Sequence, residues 1–274
     1  VGTGSGSATS GVPLLILAHG ANNDLDFPLL AYLGRHLAET ATASAVRFNF
    51  PYVERGVTSP DPRPVLEDAF LQVYRHGVAE LAPAATPVFV GGKSLGGRTA
   101  VELVSRRAEG DGVEAAGVIV LGYPLHPMGR EDHLWVEPLR HIDIPSLFFA
   151  GTRDALCNPE LLRPILAGLE VPGTLHVVEG GDHSLHLPRS ASRAPEDSYP
   201  VIAEAVAAFA KTRSFGTCER IKAQIVETFR MDFNKYRHRA NPRLLTLAFD
   251  AVPRLAGRKL IYSHIDPNSR SDEL

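Results

Sequence analysis

A serine set between glycines is the feature most suited to chemistry. Residues 87–100 read PVFVGGKSLGGRTA. The apolar run of Val88, Phe89 and Val90 stops at Gly91-Gly92. Lys93, Ser94 and Leu95 follow, and Gly96-Gly97 lead into a helix-like stretch at 98–107. A serine hydroxyl is a weak nucleophile until a base takes its proton, so it must stand clear of the backbone within reach of a histidine. A strained strand-to-helix turn places it there, and glycines at 92 and 96 let neighbouring backbone approach closely. The Leu95 N–H, at the start of the helix, sits where charge would grow on a carbonyl oxygen. A Gly-Lys-Ser string also invites a phosphate-loop reading. That loop requires an earlier glycine where this chain has apolar strand.

Two further strand ends carry matching residues. The run SLFFA (146–150) ends in Gly151-Thr152-Arg153-Asp154, and LHVV (175–178) ends near Gly180-Gly181-Asp182-His183. In an open parallel sheet, ligands sit beyond the carboxyl ends of the strands. Ser94, Asp154 and His183 should therefore gather at one edge. His183 would take the serine proton and return it to the leaving group, and Asp154 would orient and stabilise the imidazole. Ala21, in the loop after the first strand, would share the oxyanion with Leu95. Asp154 could instead be a turn or cap residue ahead of Pro159. Asp182 competes as the acid, but its place beside the histidine suits the shaping of a turn. His19, by its position, shapes the first loop. His176 falls within a strand and packs, His126 and His186 line the pocket, and His133 lies in an irregular segment. A Ser94–Lys93 dyad is disfavoured because successive side chains at a tight turn diverge. Cys157 packs.

The elements around these residues alternate between strand and helix. LLILA (14–18), GVIVL (117–121) and SLFFA are continuous apolar runs, as expected of strands covered on both faces. VRFNF (46–50) alternates and reads as another strand. Helices are expected at 27–40, 65–81, 160–169 and 199–211, with loops at 54–64 and 189–197. The polar stretch 124–144 is expected to form a loop or small cap. This alternation predicts an α/β fold with a mostly parallel, doubly wound sheet.

The 274-residue length suits one α/β domain with an appendage. A hydrophobic fraction of 44% excludes a disordered chain, and a formal net charge of −3 argues against nucleic-acid or anionic-membrane partners. Cys157 and Cys218 are far apart, with no metal spacing, so no metal or cofactor is expected and a reducing, cytoplasmic setting fits. No apolar run reaches membrane-spanning length. Residues 1–11 read as a flexible lead without the features of a secretory signal, 12–214 as the α/β domain, and 215–274 as a basic extension. Within that extension Ile221, Ile225, Phe229 and Phe233 recur every four residues and suggest a helix that could pair with another subunit.

The segments HGANNDLDFP, NFPY, GGKSLGGR, LGYPLHP, GTRDALCNP and GGDHSL, in this order, resemble the small α/β-hydrolases of the dienelactone-hydrolase-like group. The resemblance is closest to the branch that contains testis-expressed hydrolase-like proteins, and it spans residues 12–212. It implies the α/β-hydrolase fold, whose site residues come in the order Ser, Asp, His, and it implies Ser94 as nucleophile, Asp154 as acid and His183 as base. The activity expected is a carboxylesterase on small to medium acyl esters. The alternatives are a silent hydrolase-like binding module and a lactone hydrolase, although dienelactone hydrolases carry cysteine where this chain has Ser94. The extension is similar to an internal piece of a group of large bacterial AAA-type ATPases, without a phosphate loop.

Overall fold

The computed structural model describes residues 11–83, 86–190 and 194–212, and the backbone of 2–3. The helix expected at 221–233, and with it the extension and any subunit pairing, lies outside the described residues. In chain order the elements are β1 (Gly2–Thr3), β2 (Leu14–Ala18), α1 (Pro28–Glu39), β3 (Ser44–Phe48), α2 (Pro51–Glu54), α3 (Arg63–His76), β4 (Val88–Lys93) and α4 (Leu95–Ser105). They continue with β5 (Gly117–Leu121), α5 (Glu137–Arg140), β6 (Ser146–Gly151), α6 (Pro159–Ala167), β7 (Thr174–Val178) and α7 (Tyr199–Thr212). The strand order is β1-β3-β2-β4-β5-β6-β7. Strands β2 to β7 run parallel, and β1 adds an antiparallel edge in which Gly2 pairs with Arg47. The chain order reverses beside β2, so successive crossovers place helices on both faces of the sheet.

Strand alternation divides the core into two layers. Leu14, Ile16, Val90, Val118, Val120 and Phe148 face Leu66 and Phe70 of α3, Val101 and Leu103 of α4, and Leu162 of α6. Leu15, Leu17, Phe89, Ile119, Leu121 and Phe149 face Leu29 and Leu33 of α1 and Ile202, Val206 and Phe209 of α7. Every residue of β2, β4, β5 and β6 is buried. Each large apolar side chain so covered contributes about 1.5–3 kcal/mol.

Several element boundaries differ from the sequence reading. Strand β3 ends at Phe48, because Phe50 turns its N–H onto His19 and Pro51 starts α2 within the expected break. Helix α4 begins at Leu95, directly after the serine. The helix expected at 65–81 starts earlier, at Arg63, and changes at Gly77 into a wider π-helical turn, Gly77–Leu81. Gly2–Thr3, assigned to the flexible lead, instead pairs with β3. The segment after β5 packs inward: Tyr123, Leu125, His126, Leu139 and Ile142 are buried, and α5 is its only helix.

Candidate active site

Ser94 occupies the turn between β4 and α4 with φ +50° and ψ −111°. A non-glycine residue at positive φ is strained by about 1–3 kcal/mol and persists only where its surroundings fix it. They do so here through close backbone packing. A Cβ added at Gly92 would stand 2.2 Å from the Ala18 carbonyl oxygen, and one at Gly96 2.3 Å from the same atom. Only glycine lets the elbow settle this tightly on the end of β2. The Ser94 N–H donates to the Leu121 carbonyl of β5, and its own carbonyl accepts from the Arg98 N–H in the first turn of α4.

The hydroxyl meets an imidazole. His183 Nε2 is 2.8 Å from Ser94 Oγ, and His183 Nδ1 lies 2.9 and 2.8 Å from the two carboxylate oxygens of Asp154. The Asp154 side chain is wholly buried, and one of its oxygens also accepts the Leu156 N–H at 2.8 Å. A buried carboxylate needs such partners to stay ionised. The three residues expected at the strand ends thus form one hydrogen-bonded line. Asp182 shapes the turn that presents the ring, since its Oδ1 accepts the N–H groups of Ser184 and His186. Leu185 in that turn has φ +62°.

The other expected residues divide as follows. A Cβ on Gly20 would lie 3.3 Å from the Ser94 Cβ, so the loop carrying Ala21 passes directly beside the serine. Leu95, the first residue of α4, has no intrahelical acceptor for its N–H. His19 braces that first loop: its Nδ1 is 2.7 Å from the Gly20 carbonyl, and its Nε2 accepts the Phe50 N–H at 3.0 Å. Burial holds its pKa below the ordinary value, the Gly20 carbonyl and Asp24 pulling the other way. His126, expected to line the pocket, is instead buried, where its ring accepts the Asn158 N–H at 3.3 Å. His186 bonds to the Tyr199 hydroxyl at 2.7 Å, and His176 packs on Phe149. His133 is exposed. Cys157 is fully buried, and desolvation, then Asp154, pushes its thiol well above the ordinary value.

Lys93, disfavoured in the sequence as a dyad partner of Ser94, is buried. It is 6% exposed at the end of β4, and burial lowers its pKa to about 8 against the opposing pull of Asp154 and Asp182. Strand alternation carries a signal for it: Phe89 faces the α1/α7 layer, so Lys93, four residues on, points the same way. A cleft of about 460 Å³ opens on the Ala21 side, lined by Asn22, Asn23, Phe27, Tyr52 and Val57. A second one, about 580 Å³, lies between α4 and the 134–141 segment. No described helix is long and apolar enough to cross a membrane.

Known structures share this architecture. Est1E from Butyrivibrio proteoclasticus, solved with ferulic acid bound, superposes with a TM-score of 0.56 at 14% identity, covering 73% of this chain and 89% of that one. An alpha-beta serine hydrolase homologue from Coxiella burnetii gives 0.55 at 16%, over 72% and 84% of the two chains. A monoacylglycerol lipase from Paleococcus ferrophilus gives 0.52 at 16%, over 75% and 97%. At these identities the likeness concerns the fold. The alpha/beta hydrolase domain family matches residues 12–211, and with that span, the sheet order and the strand-end loops in agreement, the chain belongs to that family.

Proposed function

We propose that the chain is a serine carboxylesterase acting on small to medium acyl esters. The observation that carries this reading is the continuous hydrogen-bonded line from Asp154 through His183 to Ser94. His183 takes the hydroxyl proton as Ser94 Oγ attacks the ester carbonyl. The imidazolium formed is stabilised by the Asp154 carboxylate. The tetrahedral oxyanion receives the N–H groups of Leu95 and Ala21. His183 then returns the proton to the departing alcohol, leaving an acyl-Ser94 ester. Water, activated by the same imidazole, hydrolyses that ester and regenerates the hydroxyl.

The substrate range follows from what surrounds the serine. The segment between β5 and β6 packs into the core and holds one short helix, which leaves the site open. The cleft at Asn22, Phe27, Tyr52 and Val57 lies on the first loop beside the serine and has both apolar walls and an amide group, which suits it to one arm of an ester held at Ser94. Within the family, the dienelactone-hydrolase-like branch fits the motif order, and a panel of lactones beside p-nitrophenyl acetate and butyrate separates lactone from acyclic ester preference.

The test is acyl-enzyme formation. A fluorophosphonate probe should label the native protein and not Ser94→Ala, and turnover of the p-nitrophenyl esters should disappear in the same variant. Labelling or turnover that persists in Ser94→Ala overturns the assignment. A folded native protein that ignores both probe and esters favours a silent binding module.

A further inference from the structure

We propose that Lys93 is a positioning residue of this site, whose buried ammonium ties the loop carrying Ala21 to the loop carrying His183 on either side of Ser94. Four observations lead there. Lys93 is covalently joined to the nucleophile and lies at the end of β4, 94% removed from solvent by its 6% exposure. Its stem crosses the first loop, since a Cβ on Gly20 would stand 2.9 Å from Lys93 Cδ. Its Nζ lies 6.0 Å from the centre of the Phe27 ring, at the far end of that same loop. Among the described residues it forms no hydrogen bond or ion pair, yet it feels the charges of Asp154 and Asp182.

A cation placed this way is expensive unless it does something. Burying an ammonium without an acceptor costs several kcal/mol, and a methionine of similar length would fill the space without that cost. The groups it does engage all belong to the site. Phe27 closes the first loop through its ring face, an attraction worth most where water is excluded. Asp182 is the residue that folds the histidine turn, through the Ser184 and His186 N–H groups. The Phe27 and His186 rings face each other at 6.4 Å, completing the seam. Asp154 is the carboxylate behind His183. One positive charge therefore pulls on both walls while its backbone fixes the serine between them.

The charges that act on the Lys93 ammonium are Asp154 after β6 and Asp182 after β7. The two carboxylates nearest in effect, Asp154 and Asp182, favour its protonated form, and burial opposes it, so near neutral pH the ammonium form prevails.

The test compares native protein, Lys93→Met and Phe27→Leu. It rests on the serine esterase reading for its kinetic arm only. Hydrogen exchange reads the tie without any substrate: in Lys93→Met the backbone N–H groups of Asn23, Ser184 and His186, which close the two loops, should exchange at least about ten-fold faster than in the native protein. The kinetic substrate is p-nitrophenyl butyrate. kcat should fall about ten-fold with KM within about two-fold of native, as expected when alignment is lost and binding is kept. Phe27→Leu, which removes the ring face and retains an apolar wall, should lower kcat about two- to five-fold. It decides the question if Lys93→Met does not fold. Native exchange of both loops in Lys93→Met, or native kcat in Phe27→Leu where Lys93→Met does not fold, overturns the proposal. If the native protein hydrolyses no ester, the esterase reading falls, and the exchange comparison alone decides the role of Lys93.

Discussion

Two imidazoles follow strands of one sheet, β2 and the edge strand β7, and they are used in opposite ways. His183, after β7, joins a hydroxyl to a carboxylate. His19, after β2, joins the Gly20 carbonyl to the Phe50 N–H. Both rings have partners at both nitrogens, so neither is idle. The difference lies in what the partners can do. A hydroxyl can lose its proton and a carboxylate can steady the resulting cation, which suits His183 to the relay of the proposed reaction. Two backbone groups can do neither, which makes His19 a strut between β2 and β3. Burial follows the division: the side chain of His183 keeps 20% exposure to solvent, and His19 has none. Titratable side chains near a hydrolase site are thus sorted by the chemistry of their partners more than by distance from the serine.

The sharpest way to break the comparison is to exchange losses. Asp154→Asn should keep the fold and lower kcat by about 10⁴, because the amide cannot hold the imidazole in the tautomer that accepts the serine proton. His183→Ala should lose at least as much. His19→Ala should leave the activity per folded molecule within a few-fold while stability falls. Steady-state kinetics beside thermal unfolding decide it. A His19 variant with native stability and a 10⁴-fold loss of kcat would erase the distinction.

That distinction was only half legible in the sequence. Ser94, Asp154 and His183 each follow a run such as VFV, SLFFA or LHVV that can scarcely be other than a strand, and parallel topology brings such ends together. For His19 the position is readable and the partner is not: the Phe50 N–H lies 31 residues away, just past a strand that ends two residues earlier than its alternation suggests. The four strands buried on both faces were plain as apolar runs. β7 was weaker because four of its five residues are only half-buried. β1 has two residues and no pattern to detect. For Lys93, the alternation of β4 marks the face it shares with Phe89, but its burial comes from the first loop folding across its stem, which no local pattern marks.

The serine elbow packs backbone to backbone on the end of β2 and the start of the His19 loop, and Gly96 controls one of these contacts. A Cβ there would lie 2.3 Å from the Ala18 carbonyl oxygen and 2.7 Å from that of His19. Both neighbours are backbone, so neither can rotate away. Gly96→Ala should therefore cost about 3 kcal/mol or more, the scale of severe overpacking, and should reduce activity even in the folded fraction by moving Ser94. Chemical denaturation gives the first quantity and burst titration with the fluorophosphonate the second. A variant as stable and active as the native protein would show that the elbow and the end of β2 are not mechanically coupled.

His19 can also be read through pH. Its folded pKa is below the ordinary 6.5, chiefly through burial. As pH falls through about 6.5 the unfolded chain takes up the proton first, so the unfolded state binds more protons and stability drops. The loss starts at the unfolded value and ends once the folded value is passed. His19→Gln, which cannot titrate, should be less stable at pH 7 by about 1–2 kcal/mol and should show a flatter stability profile between pH 7 and 5. An equal slope in both proteins would assign the acid sensitivity to other groups.

The smallest expected effect serves as the control outside both regions. Arg98, one turn beyond Ser94 on α4, places its guanidinium 4.8 Å from the centre of the Trp135 ring and pairs with Glu102 at 3.1 Å. Trp135 lines the cleft on the α4 side, away from the first loop. Trp135→Leu removes the ring face, a loss of about 0.5–1 kcal/mol at a half-exposed site, and leaves the Arg98–Glu102 pair in place. Stability should fall by that amount, with kcat and KM unchanged for p-nitrophenyl acetate and butyrate. A change in KM that grows with acyl length would instead make the α4 cleft part of the substrate path, and the division of labour drawn from the two imidazoles would then have to include a third wall.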